Sequence, residues 1–301
     1  MEKAYLWLLL LAIAGGLGVS SLSMAGSIEK IILPLLILLL FFTFLPVPLS
    51  EIRNAFQNRS FVIISLTLNF IITPFLAWGI GAVFLSDAPL LWLGFLLLVL
   101  TPCTDWYIVF TGIAKGNTAA SVSLLPVNLM LQLLLLPVWM LLFGRVVVGP
   151  EILDVIPSVL LVLLIPFAAA FLVRRFVGSF QESLMEWVQV LILCIVIFAM
   201  FASQGEVILG EIDQLLRLII PLLLFFVSLY WLGKGAAAFA GLEREDRISL
   251  HMTTIARNSP LVLAVVLAVF PDQPLLALVL VVGPLIELPL LAALSFVLKR
   301  G

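Results

Sequence analysis

Leu100-Thr101-Pro102-Cys103-Thr104-Asp105-Trp106 lies inside an apolar stretch, residues 90–113, that is long enough to cross a bilayer. A proline, two hydroxyls, a thiol and a carboxylate sit together where hydrocarbon is expected. Backbone polar groups freed at membrane depth must be satisfied within the protein. Such a break is therefore tolerated only where it faces protein or a watery cavity. A counterpart follows in the second half. Ala256-Arg257-Asn258-Ser259-Pro260 interrupts another apolar stretch, residues 248–270. Two interrupted hydrophobic segments at corresponding places in two halves point to the binding site of a secondary transporter.

The composition agrees with a membrane location. The 301 residues are 64% hydrophobic and 11% charged, against about 45–50% apolar and about 25% charged in soluble domains. A net charge of −2 and the lack of a basic tract give no footprint for nucleic acid. Cys103 and Cys194 both fall in apolar segments, so no disulfide framework is expected. The N-terminal Met1-Glu2-Lys3 and the apolar run after it read as a first span rather than a cleaved signal.

The expected fold class is an all-α membrane protein of ten spans. They are placed at residues 4–22, 28–47, 61–85, 90–113, 118–143, 152–173, 184–204, 215–239, 248–270 and 274–298. Eleven of the fifteen Lys and Arg residues fall on the side holding both termini, and three (Lys30, Arg145, Arg217) on the other. Both termini are thus expected in the cytoplasm. Residues 1–144 and 145–301 each hold five spans, with breaks at 101–105 and 256–260 in the fourth of each. An odd number of spans inserts the second half the opposite way up. The halves therefore read as inverted repeats suited to alternating access. Short connections leave no room for a further domain.

Asp105, Arg257 and Glu287 fall within spans rather than at their ends. A charge near the bilayer centre costs at least ~2.5–3.5 kcal/mol and calls for a partner. If the two breaks meet, Arg257 is expected to contact Asp105, Glu287 or both. Asn128 and Gln132, spaced i and i+4, put two amides on one face of the fifth span. Cys103 reads either as a soft ligand or as a small packing residue. His251 is expected at the interface, Trp78, Trp92 and Trp139 in an aromatic belt, and Glu243–Arg247 in a solvated loop.

These motifs resemble a known family. Pro102-Cys103-Thr104, Asn128-Leu129-Met130-Leu131-Gln132, Ala256-Arg257-Asn258-Ser259-Pro260-Leu261 and Gly283-Pro284-Leu285-Ile286-Glu287-Leu288-Pro289 are similar to segments of the arsenite-efflux permeases. That family lies within the bile acid:sodium symporter superfamily. The resemblance covers essentially the whole chain. It implies a panel domain and a core domain, with spans four and nine unwound and crossing in the core. It also implies export of trivalent arsenic in exchange for protons, with Cys103 as the essential cysteine and Glu287 as the intramembrane acid. In the sister branch, which imports organic anions such as bile acids, a Glu and a Gln on the ninth helix help bind sodium. Thr253 and Arg257 stand at those positions here, and a guanidinium opposes a second cation. The chain departs from the better-known arsenite permeases at Asp105-Trp106-Tyr107.

The expectation is thus a proton-coupled exporter of arsenite or a similar small oxyanion in the plasma membrane. Cys103, Thr104, Asn128, Asn258 and Ser259 are the substrate-binding candidates, and Glu287, Arg257 and Asp105 the coupling charges. The alternative is a sodium-coupled symporter of organic anions. No cofactor and no metal site are expected. An intramembrane enzyme would need a nucleophile–base pair or a metal cluster, and the sequence offers neither.

Overall fold

The computed structural model describes residues 2–20, 25–47, 58–104, 106–147, 149, 152–177, 182–210, 212–270 and 273–300. Within them the regular structure is helical. In chain order the helices are α1 (Glu2–Val19), α2 (Ala25–Phe44), α3 (Arg59–Phe84), α4 (Pro89–Leu100), α5 (Trp106–Ile113) and α6 (Thr118–Val147). They continue as α7 (Ile152–Val177), α8 (Glu182–Gly210), α9 (Ile212–Arg217), α10 (Ile219–Phe239), α11 (Arg244–Ile255), α12 (Ser259–Val269) and α13 (Pro274–Arg300). By length and composition α3, α6, α7, α9–α10 and α13 are each able to cross a membrane, and shorter apolar helices lie between them. Large side chains such as Leu161, Ile165 and Phe171 of α7 point outward. That is the surface expected of a helix facing lipid.

Local chemistry sets where the helices begin. Asn58 accepts from the Phe61 amide at 3.3 Å and caps α3; Asn117 accepts from the Ala120 amide at 3.0 Å and caps α6. Each side-chain oxygen satisfies one of the orphan donors at a helix start. Pro89 stands at the first turn of α4, where no amide is required. Five-residue π-helical turns interrupt α3 at Leu68–Ile72 and α6 at Met140–Gly144.

Packing sorts the helices into two groups. α1, α2, α7 and α8 pack on one another; α3–α6, α10, α11 and α13 form the other group, and α12 touches both. Gly16 lets α1 approach α8 closely, since a Cβ there would lie 2.7 Å from the Phe198 carbonyl and from the Phe201 Cβ.

The structure refines three expectations. Of Glu243–Arg247, four residues are exposed as expected, but the segment is helical from Arg244, and Asp246 is buried. Its carboxylate accepts from Asn58 Nδ2 at 2.6 Å and Asn117 Nδ2 at 2.8 Å. The two capping amides thus spend their oxygens on helix starts and their NH2 groups on one acid. Charge density reads as solvent exposure in a sequence; here one acid of the run, Asp246, turns inward to three helix starts. His251 does not face outward. It is buried and stacked on Tyr230, ring centroids 5.0 Å apart. Trp92 does not face outward either. It is buried against Gly81 and stands 6.2 Å from Trp78, with Trp139 and Phe143 stacked nearby at 5.5 Å.

Candidate functional site

Both apolar stretches break where the sequence places polar residues. α4 stops at Leu100 and α5 starts at Trp106; α11 stops at Ile255 and α12 starts at Ser259. The two breaks meet. Pro102 and Arg257 form an isolated antiparallel β-bridge. The Cys103 amide donates to the Ala256 carbonyl at 2.9 Å, and the Asn258 amide donates to the Thr101 carbonyl at 2.9 Å. Each break thus satisfies the main chain of the other, as unwound backbone in a membrane must be satisfied.

Side chains repeat this exchange. Asn258 Oδ1 accepts from the Leu261 amide at 3.3 Å and caps α12. Cys103 Sγ accepts from the Trp106 amide at 3.3 Å, the same relation at the start of α5. Asn258 Nδ2 also donates to Thr104 Oγ1 at 3.3 Å, and Thr101 Oγ1 donates to the Asn258 carbonyl at 3.4 Å. The crossing therefore gathers Cys103, Thr104 and Asn258 within one hydrogen-bonded patch. Two helix starts point their positive dipole ends toward it.

Arg257 meets Glu287, but not as an ion pair. A Glu287 carboxylate oxygen accepts from the Arg257 backbone amide at 2.8 Å. The Arg257 guanidinium turns elsewhere. Nη1 donates to the Val99 carbonyl at 3.1 Å, and Nη2 donates to the Thr254 carbonyl. The guanidinium carbon stands 5.4 Å from the ring centroid of Phe225. Both Arg257 and Glu287 are buried, at 2% and 3% exposure. Neither can borrow stabilisation from bulk water, so the protein's own dipoles carry both.

A small cavity, about 30 Å³, opens beside the crossing, enough for about two waters. Trp106, Arg257, Ser259 and Glu287 line it on one side, together with Pro284 and Leu285 of α13. Ile13 of α1 and Leu193 and Ile197 of α8 close the other. It therefore lies between the two helix groups. Ser259 Oγ has no partner inside the protein.

The remaining candidates fall elsewhere. Cys103 is buried and is not among the cavity's lining residues. Asn128 and Gln132 are buried in α6 with both amide atoms of each unpaired. Asp105 lies outside the described residues. The sequence reading missed Ser65, Asn69 and Thr73, a buried i, i+4, i+8 stripe on α3 in which each residue has an unpaired polar atom. Asn69 Nδ2 reaches the Thr253 carbonyl at 3.4 Å. The spacing of the stripe was visible, but a serine and a threonine in an apolar helix usually bond their own backbone and pass unnoticed.

Comparison with known proteins adds the ancestry. Residues 33–211 match the family described as the Sodium Bile acid symporter family. The arsenical-resistance protein Acr3 of Corynebacterium glutamicum is 26% identical over 97% of this chain and 86% of its own length. The Acr3 protein of Alkaliphilus metalliredigens is 24% identical over 85% of this chain and 77% of its own. An uncharacterized transporter of Synechocystis is 24% identical over 91% of this chain and 80% of its own length.

Proposed function

The chain belongs to the sodium bile acid symporter family, a family of membrane transporters, and on that premise we propose that it is a proton-coupled exporter of arsenite or a similar small oxyanion. One observation carries the reading. Two broken helices exchange main-chain hydrogen bonds beside a cavity that holds a cation, a carboxylate and an unpaired hydroxyl. The cavity also lies between the two helix groups, where relative tilting would expose these residues to a solute. The names of two relatives, both arsenical-resistance proteins, support this choice of solute.

The proposed architecture is ten spans in two inverted repeats, residues 1–144 and 145–301, with both termini in the cytoplasm and the chain in the plasma membrane. The helix pairs α4–α5 and α11–α12 each count as one span. The reciprocal bridge fits such repeats. Shifting Thr101, Pro102, Cys103 and Trp106 by 155 residues gives Ala256, Arg257, Asn258 and Leu261, and two hydrogen bonds of the first set, the main-chain bond across the bridge and the cap on the following helix, have their mates in the second. Such a pairing supports repeats related by a two-fold axis in the membrane plane.

In this mechanism Cys103 supplies sulfur to a thiophilic solute, and Thr104, Asn128, Asn258 and Ser259 supply hydrogen bonds. Glu287 carries the proton, with Arg257 and Asp105 setting the charge around it. Glu287 faces the cavity from α13 and already holds the Arg257 amide. A change in its protonation therefore acts on the break itself. The test is arsenite flux in sealed vesicles under an imposed pH gradient. Glu287→Gln is expected to abolish the response of flux to the gradient while leaving the protein folded. Coupling that survives this substitution removes Glu287 from the role. Flux driven by a sodium gradient, with an organic anion as solute, would replace the whole reading with sodium symport.

A further inference from the structure

The bridge between the two breaks creates a deficit that Arg257 fills. In a continuous helix the Cys103 amide would donate to the Val99 carbonyl, and the Asn258 amide to the Thr254 carbonyl. At the crossing both amides are diverted, one to Ala256 and the other to Thr101. Val99 and Thr254 are left as penultimate residues of α4 and α11, with carbonyls at the negative ends of two helices. Both residues are buried, so water does not supply the missing donors. The Arg257 guanidinium donates to both carbonyls. Val99 and Thr254 are themselves 155 residues apart, so a single planar cation bridges equivalent atoms of the two proposed repeats. Phe225 closes one face, where a ring quadrupole favours a cation.

Carbonyls at the ends of broken helices are the ligands with which secondary transporters hold monovalent cations. We propose that the crossing is a monovalent-cation site whose resident cation is the chain's own guanidinium. Removing the Arg257 side chain opens the site to a free cation: guanidinium first, because its flat N–H fork fits two carbonyls, and sodium more weakly. The intact protein then needs no bound metal cation to hold α4 to α11. This deepens the transport reading and rests on it only in implying that transport does not depend on sodium.

The experiment is thermal unfolding of the full chain in lipid nanodiscs, with the wild type and Arg257→Ala. Each is measured in choline chloride, in sodium chloride at equal ionic strength, and with low-millimolar guanidinium or methylguanidinium chloride added. The wild-type midpoint is expected to be the same in all of them. The Arg257→Ala midpoint is expected to fall, and then to rise with guanidinium along a saturating curve of the form set by ligand binding to the native state. A smaller rise is expected with sodium. Should Arg257→Ala not fold, Arg257→Gln keeps an amide for one carbonyl without the charge, and the same salts apply. A wild type stabilised by sodium overturns the proposal, as does a variant that responds to neither cation. The readout involves no transported solute. Failure to move arsenite would leave it standing, and failure of rescue would leave the arsenite reading intact.

Discussion

At the residue scale, Cys103 carries two separable roles. Its sulfur caps α5 through the Trp106 amide, and it stands beside Thr104 and Asn258 at the crossing. Sulfur is a weak acceptor, and serine is among the preferred residues at a helix start. Cys103→Ser should therefore keep or slightly raise the thermal midpoint, while Cys103→Ala should lower stability by about 1 kcal/mol through loss of the cap. If the sulfur is also the solute's ligand, both variants lose arsenite flux by tenfold or more, equivalent to about 1.4 kcal/mol of binding. Arsenite flux retained in Cys103→Ser and lost in Cys103→Ala would leave only the capping role. The sequence marked Asp105, Arg257 and Glu287 as charges out of place in lipid, and Cys103 and Asn258 as members of the two breaks, because polar residues in an apolar run can be read directly. It did not disclose that Glu287 holds the Arg257 main chain while the guanidinium goes to two carbonyls. A backbone amide has no letter in a sequence, so a bond to it leaves no pattern.

At the scale of elements, one anchor sets the depth of three helices. Asn58, Asn117 and Asp246 are hydrogen-bonded together at the starts of α3, α6 and α11. Asn69 lies eleven residues past Asn58, and Asn128 eleven past Asn117, about 16 Å along each helix at 1.5 Å per residue. Thr73 and Gln132 follow one turn further in each. The polar groups of α3 and α6 thus fall at matching depths, and α3, α6 and α11 pack on one another. Buried polar atoms without partners cost stability, and natural proteins keep them for a use. Asn128→Leu is expected to raise stability by about 1–3 kcal/mol by removing two such atoms, and to lose most of the arsenite flux. Thermal unfolding and vesicle flux on one preparation decide it; flux equal to wild type would make Asn128 a packing residue. The i, i+4 amides of α6 were legible in the sequence. Their match to α3 was not, since it depends on Asp246 pinning both helix starts, and a run of charges at 243–247 gives no sign of burial.

For the whole molecule, hydropathy located the apolar segments, while an expectation of their grouping came only from the family resemblance. Hydropathy reports how long a segment stays apolar, not which segments it packs against. α1, α2, α7 and α8 come from both ends of the chain's middle connection, yet they pack together. The cavity lies on their border with the other group. Gly16 brings α1 close against α8. In the proposed transport cycle these helices would tilt together and open the cavity beside Arg257 and Glu287. In the proposed cycle the solute passes where the two groups part, and the cavity of about 30 Å³ marks that place. Ile197 is the probe of this idea, since it faces the cavity from α8 and belongs to none of the polar groups. Ile197→Trp adds bulk to the wall and should jam the approach. The cost to stability from overpacking is about 1–3 kcal/mol, small against an expected near-complete loss of flux in vesicles. Ile197→Ala should restore or exceed wild-type flux, because it widens the same wall. Undiminished flux through the tryptophan variant would mean that the solute takes another route, and that the border between the two helix groups is packing rather than passage.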